Sequence, residues 1–243
     1  MKISVCIPMY NESSIIADTA KTLSDYMSAH FKDYEILFSN DGSLDDCAQI
    51  VRSMELPCVK VTGYEKNQGT GAAIRAAMLA ATGDYILFTD ADLAYGTDVI
   101  GQAVACFEKN SDCDLVIGSR TLHKDGYEGY TLVRKIASKT YIKLLCMVGG
   151  FRLSDSQCGC KAFRREAARE IFKRCRVNGF AFDFEALLWA TELDFSVEEM
   201  PVKIINHRES KVRLLRDTVK MLRDLTGIRR SVKKAAREDS IAK

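Results

Sequence analysis

The chain has 243 residues, of which 47% are hydrophobic and 28% are charged, and its formal net charge is +2. This length can bury a sizeable core as one large domain, and the composition is ordinary for a soluble globular protein. The longest nearly unbroken apolar run, residues 144–151, is too short to span a bilayer. The apolar part of the N-terminus is too short for a signal peptide, so we expect a cytoplasmic location.

The cysteine content agrees with a reducing compartment. The nine cysteines are odd in number and include no Cys-x-x-Cys pair. Cys158 and Cys160 flank a single glycine, but no second pair or nearby histidine completes a zinc site. We therefore interpret the cysteines as reduced thiols packed as small hydrophobic side chains.

The positive charge is concentrated near the C-terminus. Residues 203–237 contain 12 Lys or Arg and three acidic residues, so the rest of the chain is mildly acidic. Such a segment indicates a polyanionic partner: anionic lipid, a phosphate-bearing substrate or nucleic acid. It lacks interleaved aromatic residues, so a non-catalytic nucleic-acid-binding module is disfavoured and no nucleic-acid partner is expected.

Residues 1–120 alternate short apolar runs with amphipathic stretches. The predicted strands are residues 3–7, 35–39, 58–62, 85–89 and 115–118, and the predicted helices are residues 13–29, 44–54, 70–81 and 97–109. This alternation predicts an α/β fold with a parallel sheet covered on both faces. Ligands of such sheets bind at the carboxyl ends of the strands, where the strand order reverses.

The pattern changes after residue 120. Further predicted helices are residues 130–148, 166–174 and 182–192, and further predicted strands are residues 160–163 and 197–205. From Lys211 onward, apolar residues spaced three and four apart predict an amphipathic helix. We divide the chain into a domain of residues 1–210, with halves at 1–120 and 121–210, and a basic C-terminal extension of residues 211–243.

The first two strands end in polar turns. The first ends in Pro8-Met9-Tyr10-Asn11-Glu12 and the second in Asn40-Asp41-Gly42-Ser43. Asp41 or Ser43 could cap the helix that follows, or a carboxylate at this edge could accept hydrogen bonds from a ribose or base. The sequence leaves both interpretations open.

The third helix begins beside Gly69 and Gly71. Glycines let the backbone approach a ligand closely, and a helix N-terminus favours phosphate. The spacing matches neither a dinucleotide-binding fingerprint nor a P-loop, so neither dinucleotide nor ATP binding is indicated.

The strongest sequence signal is Asp90 and Asp92, which follow the apolar run of the fourth strand. Two carboxylates one residue apart at a strand end place costly negative charge beside a core. A hard divalent cation relieves this repulsion, and Mg²⁺ or Mn²⁺ prefers oxygen ligands and keeps positions open for a diphosphate. The alternative is a solvated loop with two acids; we predict that Asp90 and Asp92 hold Mg²⁺ or Mn²⁺.

Together and in this order, these motifs resemble those of the family 2 glycosyltransferases of the GT-A type. The resemblance covers nearly the whole chain and rests on P-x-Y-N-E (8–12), N-D-G-S (40–43), N-x-G-x-G-A-A-I-R (67–75), F-T-D-A-D-L (88–93), G-S-R (118–120), D-S-Q-C-G-C-K-A-F (155–163), F-D-F-E (182–185) and H-R-E-S-K-V (207–212). It implies a GT-A (Rossmann-like) three-layer sandwich with a mostly parallel central sheet and a C-terminal amphipathic helical extension.

The resemblance also implies roles for individual residues. Those around the nucleobase and ribose are Pro8, Tyr10, Glu12, Asn40, Asp41 and Ser43. Asp90 contacts the nucleotide, and Asp92 ligates the metal that bridges the diphosphate. Those that bind or close over phosphates are Arg120, Arg134, Arg208 and Lys211, with Arg134 on the acceptor phosphate. Those around the sugar and acceptor are Asp155, Gln157, Asp183 and Glu185, which form the candidate catalytic set with Asp92.

The D-x-Q-C-G and F-D-x-E runs resemble the subgroup that transfers glucose to dolichyl or other polyprenyl phosphate, and dolichyl-phosphate mannose synthases are close relatives. The implied reaction is inverting transfer of a hexose to a lipid phosphate, with UDP-glucose favoured over GDP-mannose as donor. Two positions depart from the family pattern: Asn40 stands where aspartate is usual, and Thr70 where lysine is frequent in the glucosyl subgroup.

The acceptor decides whether a general base is needed. A lipid phosphate is already anionic at neutral pH and is itself the nucleophile, so it needs no strong base. A sugar hydroxyl in polysaccharide or glycolipid synthesis is the alternative acceptor. It would need a carboxylate to take its proton, for which Asp155 and Asp183 are the candidates.

Two segments are candidates for contact with an anionic membrane surface. Residues 130–151 and residues 211–237 both combine basic side chains with apolar ones. In an interfacial helix, apolar residues dip into lipid while basic residues meet headgroups. The alternative is ordinary packing on the domain; we predict peripheral binding at the inner face of the membrane.

Overall fold

The structure is a computed structural model that describes the backbone of residues 1–206 and 214–241; the side chains of residues 214–223 and of Ser240 lie outside the description. The strands are β1 (Ile3–Met9), β2 (Tyr34–Asp41), β3 (Val59–Tyr64), β4 (Tyr85–Phe88), β5 (Leu115–Ser119), β6 (Lys161–Arg164) and β7 (Val197–Pro201). The helices are α1 (Ile16–His30), α2 (Cys47–Ser53), α3 (Thr70–Ala80), α4 (Asp98–Lys109), α5 (Leu132–Gly149), α6 (Arg165–Arg174), α7 (Phe182–Glu192) and α8 (Leu214–Ile241).

The strands form one sheet in the order β3-β2-β1-β4-β6-β5-β7. Only β6 runs antiparallel to its neighbours within this sheet. All residues of β5 and nearly all of β1 are buried, as expected for strands covered on both faces. The strand order reverses between β1 and β4, which places a crevice at their carboxyl ends. The predicted α/β fold with a mostly parallel sheet is confirmed.

Two hydrophobic cores lie on the two faces of the sheet. Because successive strand residues point to opposite faces, Phe38 of β2 belongs to the core under α1, α2 and α4, whereas Leu37 belongs to the other. The second core is covered by α3, α6 and α7 and includes Leu145 of α5. The three layers hold the crevice residues on a rigid support.

Strand β7 is shorter than predicted. It ends at Pro201 rather than at residue 205, because its partner β5 ends at Ser119, directly opposite. Val202 and Ile204 are nevertheless buried. The apolar residues in 197–205 therefore indicate burial, and this burial continues beyond the residues of β7 that are hydrogen-bonded to β5.

The C-terminal helix α8 packs on the domain. Leu225 and Val232 are buried in the second core with Trp189 of α7, and Arg174 donates to Asp239 at 3.0 Å. Residue 210, the predicted boundary of the extension, lies outside the described residues, so that division stays a prediction. In the part of the chain that the structure describes, no helix is both long enough and apolar enough to cross a membrane.

Candidate active site

Asp90 and Asp92 follow β4 at the crevice, as predicted. The segment after Phe88 folds into consecutive turns, in which Leu93 N donates to the Asp90 carbonyl at 3.0 Å and Ala94 N donates to Asp92 Oδ1 at 3.0 Å. The Asn206 amide donates to the carbonyls of Asp92 and Leu93 at 3.1 and 3.2 Å. The segment that leads out of β7 therefore fixes the loop that carries the two carboxylates.

Asp90 lies in an electronegative setting. Burial, followed by the neighbouring charges of Asp92 and Asp183, raises the pKa of Asp90 to about 7, against the opposing effect of Lys161 and Arg120. At neutral pH much of the population of this carboxyl therefore carries a proton, and a cation that binds there displaces it.

A buried ion pair lies next to Asp90. The Lys161 ammonium, only 1% exposed, donates to Asp183 Oδ1 and to the Cys158 carbonyl, both at 2.7 Å. Burial raises the pKa of Asp183, although Lys161 acts in the opposite direction. No role is predicted for Lys161 from the sequence, although a lysine in the apolar run of a short central strand is itself a sign of a buried ion pair.

A second buried pair joins Arg120 to Asp155. Arg120 Nε and Nη2 donate to the two Asp155 oxygens at 2.6 and 2.9 Å, and Asp155 is fully buried. Arg120 Nη1 reaches the Tyr130 hydroxyl at 3.5 Å, and the Arg134 guanidinium stacks 4.1 Å from the Tyr130 ring centroid. The structure thus brings two of the predicted phosphate-binding arginines, Arg120 and Arg134, together at Tyr130.

The charges of this cluster do not balance. Asp90, Asp92, Asp155 and Asp183 are opposed by Arg120 and Lys161, which leaves about two negative charges near the crevice when all are ionised. Among the described residues, no group of three or more His, Cys, Asp or Glu is arranged to hold a metal ion. Two carboxylates nevertheless fit a Mg²⁺ or Mn²⁺ whose remaining ligands are phosphate oxygens and water.

The turns after β1 and β2 interlock on the other side of the crevice. Asn40 Oδ1 accepts from Ser43 N at 3.1 Å, and Ser43 Oγ accepts from Asn11 N at 3.1 Å. The Tyr10 ring is 38% exposed there. Two further members predicted to surround the base and ribose are half-buried: Pro8 lies near the end of β1, and Glu12 lies on the turn after it.

Asp41 makes hydrogen bonds that its motif does not predict. Its buried carboxylate accepts from the backbone N–H groups of Gln68 and Gly69 at 2.8 and 2.9 Å, and from the Asn67 amide at 2.9 Å. It therefore fixes the turn that leads into α3, not the helix that follows β2. Its predicted contact with a ribose or base stays a prediction.

Gly69 and Gly71 lie against another segment of the chain, and their predicted contact with phosphate stays a prediction. The N–H of Gly71 is occupied by the Asn178 carbonyl at 2.8 Å. A Cβ on Gly69 would be 2.4 Å from that carbonyl oxygen, and one on Gly71 would be 2.6 Å from Val177 O. These glycines admit the segment of residues 177–179 against α3, so the N-terminus of this helix is already capped by protein.

Glu185 and Gln157 also support local structure. Glu185 accepts from the backbone N–H groups of Arg176 and Val177 at 2.8 and 2.7 Å, and Gln157 N donates to Asp155 Oδ1 at 3.2 Å. Their predicted roles around the sugar and acceptor stay predictions. Arg208 and Lys211 lie outside the described residues.

Comparison with known proteins identifies related sequences over almost the whole chain. Residues 4–172 match the family described as glycosyl transferase family 2. A dolichyl-phosphate beta-glucosyltransferase of Trichomonas vaginalis is 32% identical over 91% of this chain and 69% of the relative. Proteins of the same name from Dictyostelium discoideum and Saccharomyces cerevisiae are 31% and 29% identical over 93% of this chain and 73% and 74% of theirs. The predicted resemblance is confirmed.

Solved structures show the same fold. Glucosyl-3-phosphoglycerate synthase from Mycobacterium tuberculosis, in complex with Mn²⁺, UDP and phosphoglyceric acid, matches 95% of this chain and 78% of its own with a TM-score of 0.70 and 17% identity. Its complex with Mg²⁺ and UDP matches with a TM-score of 0.67 and 19% identity. At such identity the likeness establishes the fold alone, and it confirms the predicted GT-A architecture.

Proposed function

The chain belongs to glycosyltransferase family 2, and from this premise we propose that it transfers glucose from UDP-glucose to dolichyl or another polyprenyl phosphate, with inversion at the sugar carbon. The observation that carries the proposal is the sequence similarity, over more than nine-tenths of the chain, to relatives named dolichyl-phosphate beta-glucosyltransferase. The donor diphosphate lies at the carboxyl end of β4, beside Asp90 and Asp92.

A divalent cation fits this site because the cluster carries excess negative charge and the two carboxylates follow one strand. Asp90 and Asp92 would hold Mg²⁺ or Mn²⁺, which, when bound, neutralises the charge that develops on the departing nucleoside diphosphate. The protein's own contribution is to fix the two carboxylates through the turns at residues 90–96 and to keep the base and ribose against the Tyr10 and Ser43 turns.

The state of the candidate bases favours a phosphate acceptor over a sugar hydroxyl. Both oxygens of Asp155 accept hydrogen bonds from Arg120, and Asp183 is held by Lys161. These contacts occupy both oxygens of Asp155 and Oδ1 of Asp183, so neither carboxylate is freely placed to take the proton of a sugar hydroxyl. An anionic phosphate needs no such base, and Arg120 and Arg134 together provide charge-assisted hydrogen bonds for it.

Surface features of α5 support peripheral contact with an anionic membrane, where a polyprenyl phosphate resides. Leu132, Val133 and Ile136 are 73%, 78% and 58% exposed at the start of this helix. A cleft of about 750 Å³ beside its second half is lined by both basic and apolar side chains, including Lys143 and Met147. We infer that α5 lies in the headgroup region of the membrane and delivers the acceptor phosphate to the arginines at Tyr130.

The test is transfer of radiolabel to an organic-extractable product. Purified protein is incubated with polyprenyl phosphate in detergent, Mn²⁺ or Mg²⁺, and either UDP-[¹⁴C]glucose or GDP-[¹⁴C]mannose. We expect label from UDP-glucose to become extractable, and Asp92→Asn or a chelator to lower the rate about 100-fold or more. Asp33→Asn, an exposed carboxylate at the opposite edge of the sheet, is the matched control and should retain the wild-type rate.

The outcomes separate the parts of the proposal. Extractable label from GDP-mannose alone would overturn the donor. Binding of UDP-glucose without extractable label would overturn the lipid acceptor and return attention to sugar hydroxyls.

A further inference from the structure

The turn from Cys158 to Lys161 forms a wall of the candidate site, and its contact with Asp90 is unusually close. A Cβ built on Gly159 would be 2.0 Å from Asp90 Oδ2 and 2.8 Å from the carboxylate carbon. The φ angle of Gly159 lies outside the left-handed region, so backbone conformation does not account for a glycine there. The close contact with Asp90 accounts for the glycine, because any larger residue would displace the Asp90 carboxylate.

Lys161 holds this turn in place. Its ammonium bridges the Cys158 carbonyl and Asp183 Oδ1, each at 2.7 Å, and lies 5.6 Å from the Phe88 ring centroid. Lys161 pairs with Phe88 in the β6–β4 ladder. Phe88 lies two residues before Asp90, so this pairing places Lys161 beside the end of β4. A buried ammonium is stable only with its acceptors in place, so the turn and Asp183 are held together.

A further contact ties the turn to the loop that carries the carboxylates. Gly159 N donates to the Tyr95 hydroxyl at 3.4 Å, and Tyr95 is buried three residues after Asp92. The Asp90 carboxylate therefore packs against the turn of residues 158–161, and this turn is hydrogen-bonded to the loop that follows Asp90.

We propose that Gly159 and Lys161 are positioning residues for Asp90. Lys161 fixes the turn to Asp183, and Gly159 leaves the space that the Asp90 carboxylate needs to face the donor diphosphate. The inference rests on the proposed function in that Asp90 belongs to a metal–diphosphate site; the role of Gly159 and Lys161 is exerted through Asp90.

The experiment measures binding rather than turnover. UDP is titrated into wild type, Gly159→Ala and Lys161→Met by calorimetry, with and without Mn²⁺. We expect Mn²⁺-dependent UDP affinity to fall about 10-fold or more in both variants, as for other residues that orient metal ligands. UDP affinity without metal should stay close to wild type. Lys161→Arg, which keeps the charge and the donors, should retain more affinity than Lys161→Met.

Two matched controls separate this effect from general damage. Gly179→Ala introduces a methyl group into open space, and Lys60→Met breaks a lysine–carboxylate pair with Glu35 at the opposite edge of the sheet. Both should bind Mn²⁺ and UDP as wild type does.

The results distinguish the inference from its premise. Wild type without Mn²⁺-dependent UDP binding would overturn the proposed donor site. Wild-type binding that Gly159→Ala leaves intact would overturn the positioning role. If Lys161→Met fails to fold, Gly159→Ala still decides the matter, since it removes no charge and no hydrogen bond.

Discussion

At the residue scale, Glu35 shows how the edge of the sheet opposite the crevice is held. Its buried carboxylate accepts from Thr82 N at 2.7 Å, from the Ser4 hydroxyl at 2.8 Å and from Lys60 at 3.2 Å. Burial alone would raise the pKa of Glu35, but these hydrogen bonds outweigh it and lower the pKa from its ordinary 4.5 to about 2. The ionised form is therefore the one that stabilises the fold.

This predicts the pH dependence of the Glu35 contribution. Since the folded-state pKa is depressed, the contribution is fully present above pH 4.5 and is lost as the pH falls from 4.5 towards 2. Glu35→Gln should lower the free energy of unfolding by about 2 kcal/mol at pH 7, and the difference from wild type should shrink towards pH 3. Urea denaturation at several pH values measures this difference in unfolding free energy, and Glu65→Gln, at an exposed position, is the control. An equal difference at pH 3 and pH 7 would contradict the assignment.

At the scale of single elements, the N-terminus of α3 depends on close packing with the segment before α7. The N–H of Gly71 donates to the Asn178 carbonyl at 2.8 Å, while Arg75 holds the Asn178 side chain at 2.7 Å. A Cβ on Gly71 would be 2.6 Å from both Val177 O and Phe182 Cβ. The Val177 carbonyl and the Phe182 side chain thus occupy the space that any residue larger than glycine would need at position 71.

Gly71→Ala should accordingly destabilise the protein by about 2 kcal/mol, although alanine gains about 1 kcal/mol of helix propensity. Gly179→Ala, on the same segment but with open space around it, should be neutral. Thermal unfolding of both variants makes the comparison. A Gly71→Ala variant as stable as wild type would mean that the segment of residues 177–179 is not held against α3.

Helix α8 gives a second prediction at this scale. Leu225 is fully buried in the second core, whereas Ile241 on the same helix is 86% exposed. Leu225→Ala should cost about 3 kcal/mol of unfolding free energy and Ile241→Ala less than about 0.5 kcal/mol. Denaturant unfolding would show a small effect for Leu225→Ala if α8 were detached from the domain in solution.

At the scale of the whole molecule, the sequence predicted what depends on local periodicity and missed what depends on distant contacts. Alternating strands and helices determined the α/β class, and a strand ending in two acids located the crevice at Asp90 and Asp92. The capping role considered for Asp41 is wrong, because its partners, Gln68 and Gly69, belong to another turn brought near only by the fold.

The supporting contacts of the site were invisible for the same reason. The antiparallel insertion of β6 between β4 and β5 places Lys161 beside Asp183, and no local spacing encodes that order. In the sequence, Gly159 is only one position of a longer motif. The reason for a glycine there is its distance from the Asp90 carboxylate, which depends on the fold.

The proposed membrane contact belongs to the scale of the whole molecule, because it combines the apolar start of α5 with basic charge on that helix and in the C-terminal region. Sedimentation with vesicles containing anionic lipid should show binding that weakens between low and high salt, as screening reduces the attraction to headgroups. Ile136→Glu should weaken binding about 10-fold, since it removes an exposed apolar side chain from the lipid-facing helix and adds a repelled charge. Leu79→Glu, an exposed leucine on α3, should bind as wild type does. Absence of binding at low salt would rule out the membrane proposal, and equal losses in both variants would rule out α5 as its contact surface.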